Sequence, residues 1–283
     1  MKIKDIIIKE TPDYIIINKP SGLLVHPSDH TKKQQAKGIK LDETLADLVF
    51  KAYPEMRDVG ELSEEDDKLN SNNQIADSDS FLLDGDVEES VVSEEPVLRP
   101  GIVHRLDRET SGVMIIARTH NMFAYLKACF KKHTIKKTYR AFLAGWVTDD
   151  LGVIEASIGR SPNDIRTWTA GRGARGEPRE AKTRYRVIAR FLGDDGVKYS
   201  YVEAYPETGR THQLRVHFRY INHPIIGDGL YAPAHKFALG FDRVALHAYR
   251  LAFSLADKTE MVYMAPLPPD FVVAEKVAFR EEM

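Results

Sequence analysis

The stretch from His104 to Gly112, His-Arg-Leu-Asp-Arg-Glu-Thr-Ser-Gly, constrains this chain more than any other. Arg99-Pro100-Gly101 stands before it, and the apolar run Val113-Met114-Ile115-Ile116-Ala117 follows. Pro and Gly break regular structure on the near side. The run on the far side has the length and composition of a buried strand. The pattern predicts a short loop carrying Arg105, Asp107 and Arg108, anchored at its exit inside a core. A carboxylate flanked by guanidiniums stays ionised and has few rotamers open to it. On charge alone, such a loop serves equally well as a surface ion-pair turn.

Composition narrows the class. The chain has 283 residues, 43% of them hydrophobic, with a mean hydropathy of −0.36, which fits a globular fold with ample core. No run of 18 apolar residues is present, so no transmembrane span is expected. Charges interrupt Met1 to Ile8, unlike a signal peptide. The single cysteine, Cys129, excludes an internal disulfide framework and a cysteine-based zinc site. A cytoplasmic protein is expected. The net charge of −2 hides an uneven distribution. Glu61 to Glu95 holds 13 Asp+Glu and one Lys, a local charge of −12, which leaves 39 Lys+Arg against 29 Asp+Glu elsewhere, or +10. A basic body of that kind is compatible with phosphate binding.

In chain order, Ile6-Ile7-Ile8 and Tyr14-Ile15-Ile16-Ile17 flank Thr11-Pro12-Asp13 and predict a hairpin. Pro20 and Gly22 then punctuate a turn between two extended pieces, Lys19 before it and Leu23 to His26 after. Asp42 to Tyr53 predicts a helix with Asp42 as N-cap. From Asp58 to Pro96 the composition is too acidic and polar to offset the cost of ordering, so a disordered insert is expected there. Thr119 is placed to cap a helix reaching about His133, with Phe123, Leu126 and Phe130 on one stripe. Lys136 to Val147 alternates as a strand, and further strands are expected at Ala181–Ile188, Lys198–Tyr205 and Arg243–Phe253. Gly171 to Arg179 reads as a mobile basic loop. Mostly strands with a few interposed helices argue an α+β class rather than a doubly wound parallel sheet. One domain over residues 1–283 is expected, interrupted by the acidic insert at 58–96.

Three histidines, His212, His217 and His223, invite a metal reading. The first two stand five apart, on poorly aligned helical faces, and no Cys or carboxylate completes a ligand set, which argues against zinc. Another reading accounts for more residues. The loop at 104–112, the string Lys19-Pro20-Ser21-Gly22 with His26, Lys137-Thr138-Tyr139-Arg140-Ala141, Thr208-Gly209-Arg210-Thr211-His212-Gln213-Leu214-Arg215 and Leu246-His247-Ala248 are each distinctive. Together they resemble the motifs of the RluA-type RNA pseudouridine synthases, in the family's order and over nearly the whole chain outside 58–96. The acidic insert departs from the family pattern, which has a short connection there. So does the early start of the first hairpin, which leaves no room before it for the small RNA-binding S4 domain of many relatives.

The resemblance implies a fold and an activity: conversion of uridine in ribosomal or transfer RNA to pseudouridine, without metal or organic cofactor, by a protein expected to act as a monomer. It makes Asp107 the catalytic carboxylate, Tyr139 the ring that stacks on the flipped base, and Arg215 the partner of Asp107. Arg105 is a filler or phosphate clamp during base flipping. His104, Lys19, Arg210 and Leu246 are expected around the substrate, with Leu246 packing beneath the site and Lys19 and His26 near RNA backbone. Two other classes stay open: a catalytically silent RNA-binding module on the same fold, and a hydrolytic glycosidase. The silent module would lack Asp107, Tyr139 or Arg215. The glycosidase needs a second poised carboxylate, for which Glu109 is the candidate by position.

Overall fold

Thr11 closes the first turn as the sequence predicts: its hydroxyl and backbone N–H both bond to the Tyr14 carbonyl, at 2.8 and 3.0 Å. The flanking runs form β1 (Ile7–Glu10) and β2 (Tyr14–Lys19), paired antiparallel. The computed structural model describes residues 1–26, 42–60, 99–164, 166–235 and 237–280. Most of the expected acidic insert, residues 61–96, lies outside them. The chain divides into two compact units, one of residues 1–17, 23–106 and 114–132, the other of 18–22, 107–113 and 133–283.

In the first unit, β1, β2 and the end of β3 (Ser111–Ala117) lie in that order. Ile15, Ile16 and Ile17 are fully buried, as are Ile115 and Ile116. A strand buried on both faces reads as a continuous apolar run rather than an alternation. Helix α1 (Leu45–Ala52) starts two residues later than the sequence suggests, and its cap is Thr44 rather than Asp42. Thr44 Oγ1 accepts from the Asp47 N–H at 3.3 Å, and Asp47 Oδ2 accepts from the Thr44 N–H at 2.8 Å. This reciprocal pair satisfies two end donors at once. Leu23 to Val25 does not form the expected second strand. The Leu24 and Val25 carbonyls accept from the Leu45 and Ala46 N–H groups, so this segment serves the helix start. Helix α2 (His120–Lys131) carries the expected Thr119 cap and buries Leu126 and Phe130.

The second unit is built on the strand order β3, β11 (Leu246–Ser254), β4 (Lys136–Ala144), β10 (Lys198–Pro206), β9 (Lys182–Leu192), β5 (Leu151–Glu155). Strand β12 (Glu260–Met264) pairs with the second half of β11. The β3–β11 contact, Ser111 to His247 and Gly112 to Ala248, is parallel, and the neighbouring pairs from β11 through to β5 are antiparallel. Gly112 is fixed by this contact: its φ is +123°, and a Cβ there would stand 2.2 Å from the Ala248 carbonyl oxygen.

Phe142, Tyr201, Phe241 and Phe271 form an aromatic centre, with Phe142 stacked on Tyr201 at 4.3 Å. Helix α3 (Gln213–Tyr220) buries six consecutive residues, and α4 (Pro269–Ala278) buries Phe271 and Ala274. A separate small sheet joins β6 (Ile158–Arg160), β7 (Trp168–Ala170) and β8 (Arg175–Arg179). The segment expected to be a mobile basic loop thus contains a regular strand. Its residues Arg-Gly-Glu-Pro-Arg are all exposed and include no β-branched side chain, so neither alternation nor propensity announces it. Among the described residues no helix is long and apolar enough to cross a membrane.

Candidate active site

The Asp107 loop is a tight turn, closed by the Thr110 N–H donating to the Asp107 carbonyl at 3.1 Å. The Lys19–Gly22 segment clamps it. Lys19 Nζ donates to the Pro20 and Arg108 carbonyls at 2.9 and 3.0 Å, and Ser21 Oγ donates to the Glu109 carbonyl at 2.8 Å. The Gly22 N–H also donates to the Arg108 carbonyl at 2.9 Å, while Arg108 Nε donates to the Gly22 carbonyl at 3.0 Å. Lys19 is fully buried, so it holds the loop's backbone rather than reaching RNA, contrary to the sequence expectation. Burial pushes its amine down to about 7, against the opposing pull of Asp107 and Glu109.

Helix α3 supplies the partner. Arg215 Nη1 donates to Asp107 Oδ2 at 3.2 Å. The rest of the guanidinium forms a two-point pair with Asp228, Nε to Oδ2 at 2.7 Å and Nη2 to Oδ1 at 2.9 Å. Asp228 is fully buried and also accepts from the Leu230 and Tyr231 N–H groups, both at 3.0 Å. A buried carboxylate so engaged offsets its desolvation cost. The Tyr231 ring lies 4.9 Å from the guanidinium carbon. Despite desolvation, these partners raise the Arg215 pKa further, Asp228 chiefly and Asp107 next. Arg215 is therefore a permanent cation in one orientation, with one donor turned to Asp107.

The turn before α3 is set by Gln213. Its Oε1 accepts from Thr208 Oγ1 at 2.7 Å and from the Arg210 N–H at 3.0 Å. Its Nε2 donates to the Lys182 carbonyl and to Thr183 Oγ1, both at 3.0 Å. All of its donors and acceptors are thus used. Thr183 Oγ1 meets His217 Nδ1 at 2.9 Å, and His217 Nε2 donates to the Ala156 carbonyl at 3.0 Å. Burial lowers the His217 pKa and keeps that ring neutral. His212 precedes the helix in left-handed conformation, φ 53°, with Nδ1 2.9 Å from Tyr231 Oη and Nε2 3.9 Å from Asp107 Oδ2. His223 Nδ1 meets the Ala144 carbonyl at 3.0 Å. The three histidines of the metal reading therefore face different sets of partners.

Tyr139 lies on β4, paired with Ala248 and Ala204 on its two sides. Desolvation, with the Asp107 charge second, pushes its phenol far above the ordinary range, so it keeps its proton. Lys137, two residues earlier, donates to the Thr208 carbonyl at 3.3 Å, and burial lowers it to about 8. Leu246 is buried in the same core cluster that Tyr139 packs against. Arg210 Nε donates to the Glu180 carbonyl at 3.0 Å, a loop contact.

Three residues expected near the substrate or RNA, His26, His104 and Arg105, belong to the first unit. His104 is buried, accepts the Ile115 N–H on Nε2 at 3.1 Å and stacks on Phe130 at 4.6 Å. It secures the entry to the loop instead of facing a substrate. His26 is likewise buried. Arg105 is exposed. Sequence reasoning missed Asp228 and Tyr231 and took His212 only as a possible metal ligand. The string Gly227-Asp228-Gly229-Leu230-Tyr231 held the signal, a lone acid in an apolar and glycine-rich turn.

Comparison with known proteins decides the family. The family model for RNA pseudouridylate synthase matches residues 13–220. The chain belongs to the RNA pseudouridylate synthase family. Among family relatives, ribosomal large subunit pseudouridine synthase D of Neisseria meningitidis is 35% identical over 276 residues, 93% of this chain and 58% of that protein. RNA pseudouridine synthase 2, chloroplastic, of Oryza sativa is 32% identical over 286 residues, 93% of this chain and 62% of the relative. The chain thus spans about three fifths of the length of these relatives. In structure, human RNA pseudouridylate synthase domain containing 1 superposes with a TM-score of 0.63 at 22% identity, covering 93% of this chain and 83% of the other. Domain containing 4 gives 0.62 at 22%, covering 96% and 92%. These two share the family fold, which is the α+β class expected from the sequence.

Proposed function

We propose that this chain isomerises uridine in RNA to pseudouridine, with Asp107 as the nucleophile or base. The observation that carries the reading is the Asp107–Arg215–Asp228 arrangement: a carboxylate 23% exposed, fixed by a guanidinium that a second, buried carboxylate holds in place. The reaction breaks the C1′–N1 bond, turns the uracil and joins C5 to C1′; the C5 proton leaves and N1 takes one up. An orienting site suits such a reaction, because the separated base must be kept rather than released. Tyr139 supplies a neutral aromatic face for the flipped base, and stacking of this kind is worth about 1–3 kcal/mol per base. A hydrolytic glycosidase needs two poised carboxylates. Asp228 is a poor second acid, since both its oxygens are engaged.

The names of relatives that act on the large ribosomal subunit favour ribosomal RNA as substrate, with transfer RNA as the alternative target. Arg172 and Arg175, both exposed around the small sheet, are candidates for phosphate contacts. The enzyme would act in the cytoplasm, as a monomer. Asp107→Asn tests the chemistry: it keeps the side-chain volume and removes the anion. Tritium release from 5-labelled uridine in ribosomal RNA should fall to background while RNA affinity stays within about threefold, because phosphate contacts dominate affinity. Substantial residual turnover would assign the chemistry to another residue.

A further inference from the structure

His212 stands where a hydrogen-bond chain from the protein interior meets the Asp107 carboxylate. The Trp168 N–H donates to Tyr231 Oη at 2.9 Å, and the same oxygen lies 2.9 Å from His212 Nδ1. Tyr231 is 4% exposed, and burial pushes its phenol up to about 12, so the hydroxyl carries its proton. Among the described residues, Oη has two hydrogen-bond partners. A backbone N–H only donates, which leaves His212 Nδ1 as the acceptor for the phenol proton. The opposite tautomer would give Oη two donors and strand a buried O–H, at a cost comparable to a lost hydrogen bond. The neutral ring is thereby fixed with its proton on Nε2, the atom that faces Asp107 Oδ2 at 3.9 Å.

We propose that His212 is a positioning residue for Asp107, and that Tyr231 sets its tautomer. Among the described residues, the donors turned toward Oδ2 then include Nη1 of Arg215 at 3.2 Å and Nε2–H of His212 at 3.9 Å. The second is too long for a direct hydrogen bond and closes on a small movement of the carboxylate or through one water. The effect is to bias the carboxylate to one orientation as the base is gripped. Among the described residues, the groups recorded against the imidazole include Asp107, Tyr231 and, through Tyr231 and Asp107, Arg215. This role for His212 rests on the pseudouridine-forming reaction proposed for the chain.

Two substitutions separate positioning from mere structure. His212→Gln places an amide N–H where Nε2 was; His212→Asn places one only where Nδ1 was. The backbone at 212 is left-handed, with φ 53°, a region Asn tolerates better than Gln. A purely structural role therefore ranks Asn at or above Gln in both stability and activity. A positioning role ranks Gln above Asn in kcat, with the Asn variant down on the order of 100-fold and the KM for RNA unchanged in both. The ring itself is read by nitrogen NMR of wild-type protein labelled in histidine, with the His212 signals assigned by their loss in His212→Gln. The neutral ring should carry its proton on Nε2, and Tyr231→Phe should release that preference. A wild-type ring protonated on Nδ1, or Asn at or above Gln in kcat, overturns the proposal. Wild-type enzyme that forms no pseudouridine overturns the reaction instead, and the nitrogen spectrum still reads the tautomer.

Discussion

Asp228 bonds to Arg215 and to the Leu230 and Tyr231 N–H groups rather than to Asp107, yet the site depends on it. Without its carboxylate, Arg215 would have no anion for Nε and Nη2, and its third donor would no longer be aimed. Asp228→Asn turns an amide N–H toward the guanidinium and also weakens the Leu230 and Tyr231 turn. Breaking a buried pair this way costs about 3–5 kcal/mol, so urea denaturation should show a loss of that order and kcat should fall with it. Lys19 makes a pH prediction. Its amine is held near 7 in the folded chain and returns to 10.5 on unfolding. Between those values the unfolded chain binds more protons, so this group makes stability rise with pH; below about 7 the cost of the buried charge is fully felt. In Lys19→Met the rise should vanish. Wild type should gain on the variant between about pH 6.5 and about pH 9.5 in parallel urea melts. A constant gap would mean that Lys19 is not desolvated.

At the scale of elements, what the sequence made legible follows from how much of each signal is local. The hairpin of β1 and β2, the strand after the loop and the Thr119-capped helix each carry their own turn, run or cap, and all three form as read. Strand β12 carries no such signal, and helix α4 only a start, Pro269 with Asp270 in its first turn. Glu-Met-Val-Tyr-Met is short and charged at its start, and α4 is only weakly amphipathic; both depend on partners elsewhere in the chain. Likewise, Asp107, Arg215 and Tyr139 stand out as motifs; Asp228 and Lys19 also stand in distinctive strings, but which groups they bond to is a tertiary fact. The small sheet at 158–179 is the element to test for RNA binding. Changing both Arg172 and Arg175 to Ala should weaken binding and flatten its dependence on salt, by a slope of about 0.7–0.9 for each phosphate no longer neutralised. Equal affinity across a salt series would remove this sheet from the interface.

For the molecule as a whole, charge is the property that no single element shows. The −12 between Glu61 and Glu95 stands against +10 in the remaining residues. If this polyanion competes with RNA for basic surface, its removal has a measurable sign. Excising residues 61–95 should tighten RNA binding most at low salt, and the gain should fade as the screening length shrinks to about 10 Å near 0.1 M. A dissociation constant unchanged at every salt concentration would make the segment an inert spacer. The clamp and the brace also bear on how the chain is made. Lys19 meets the Arg108 carbonyl across 89 residues, and Arg215 meets Asp107 across 108. At about 5–20 residues per second of synthesis, both halves of the clamp are made roughly 5–20 s before Arg215. In translation, then, the groups that orient Asp107 emerge last, Arg215 first and Asp228 after it.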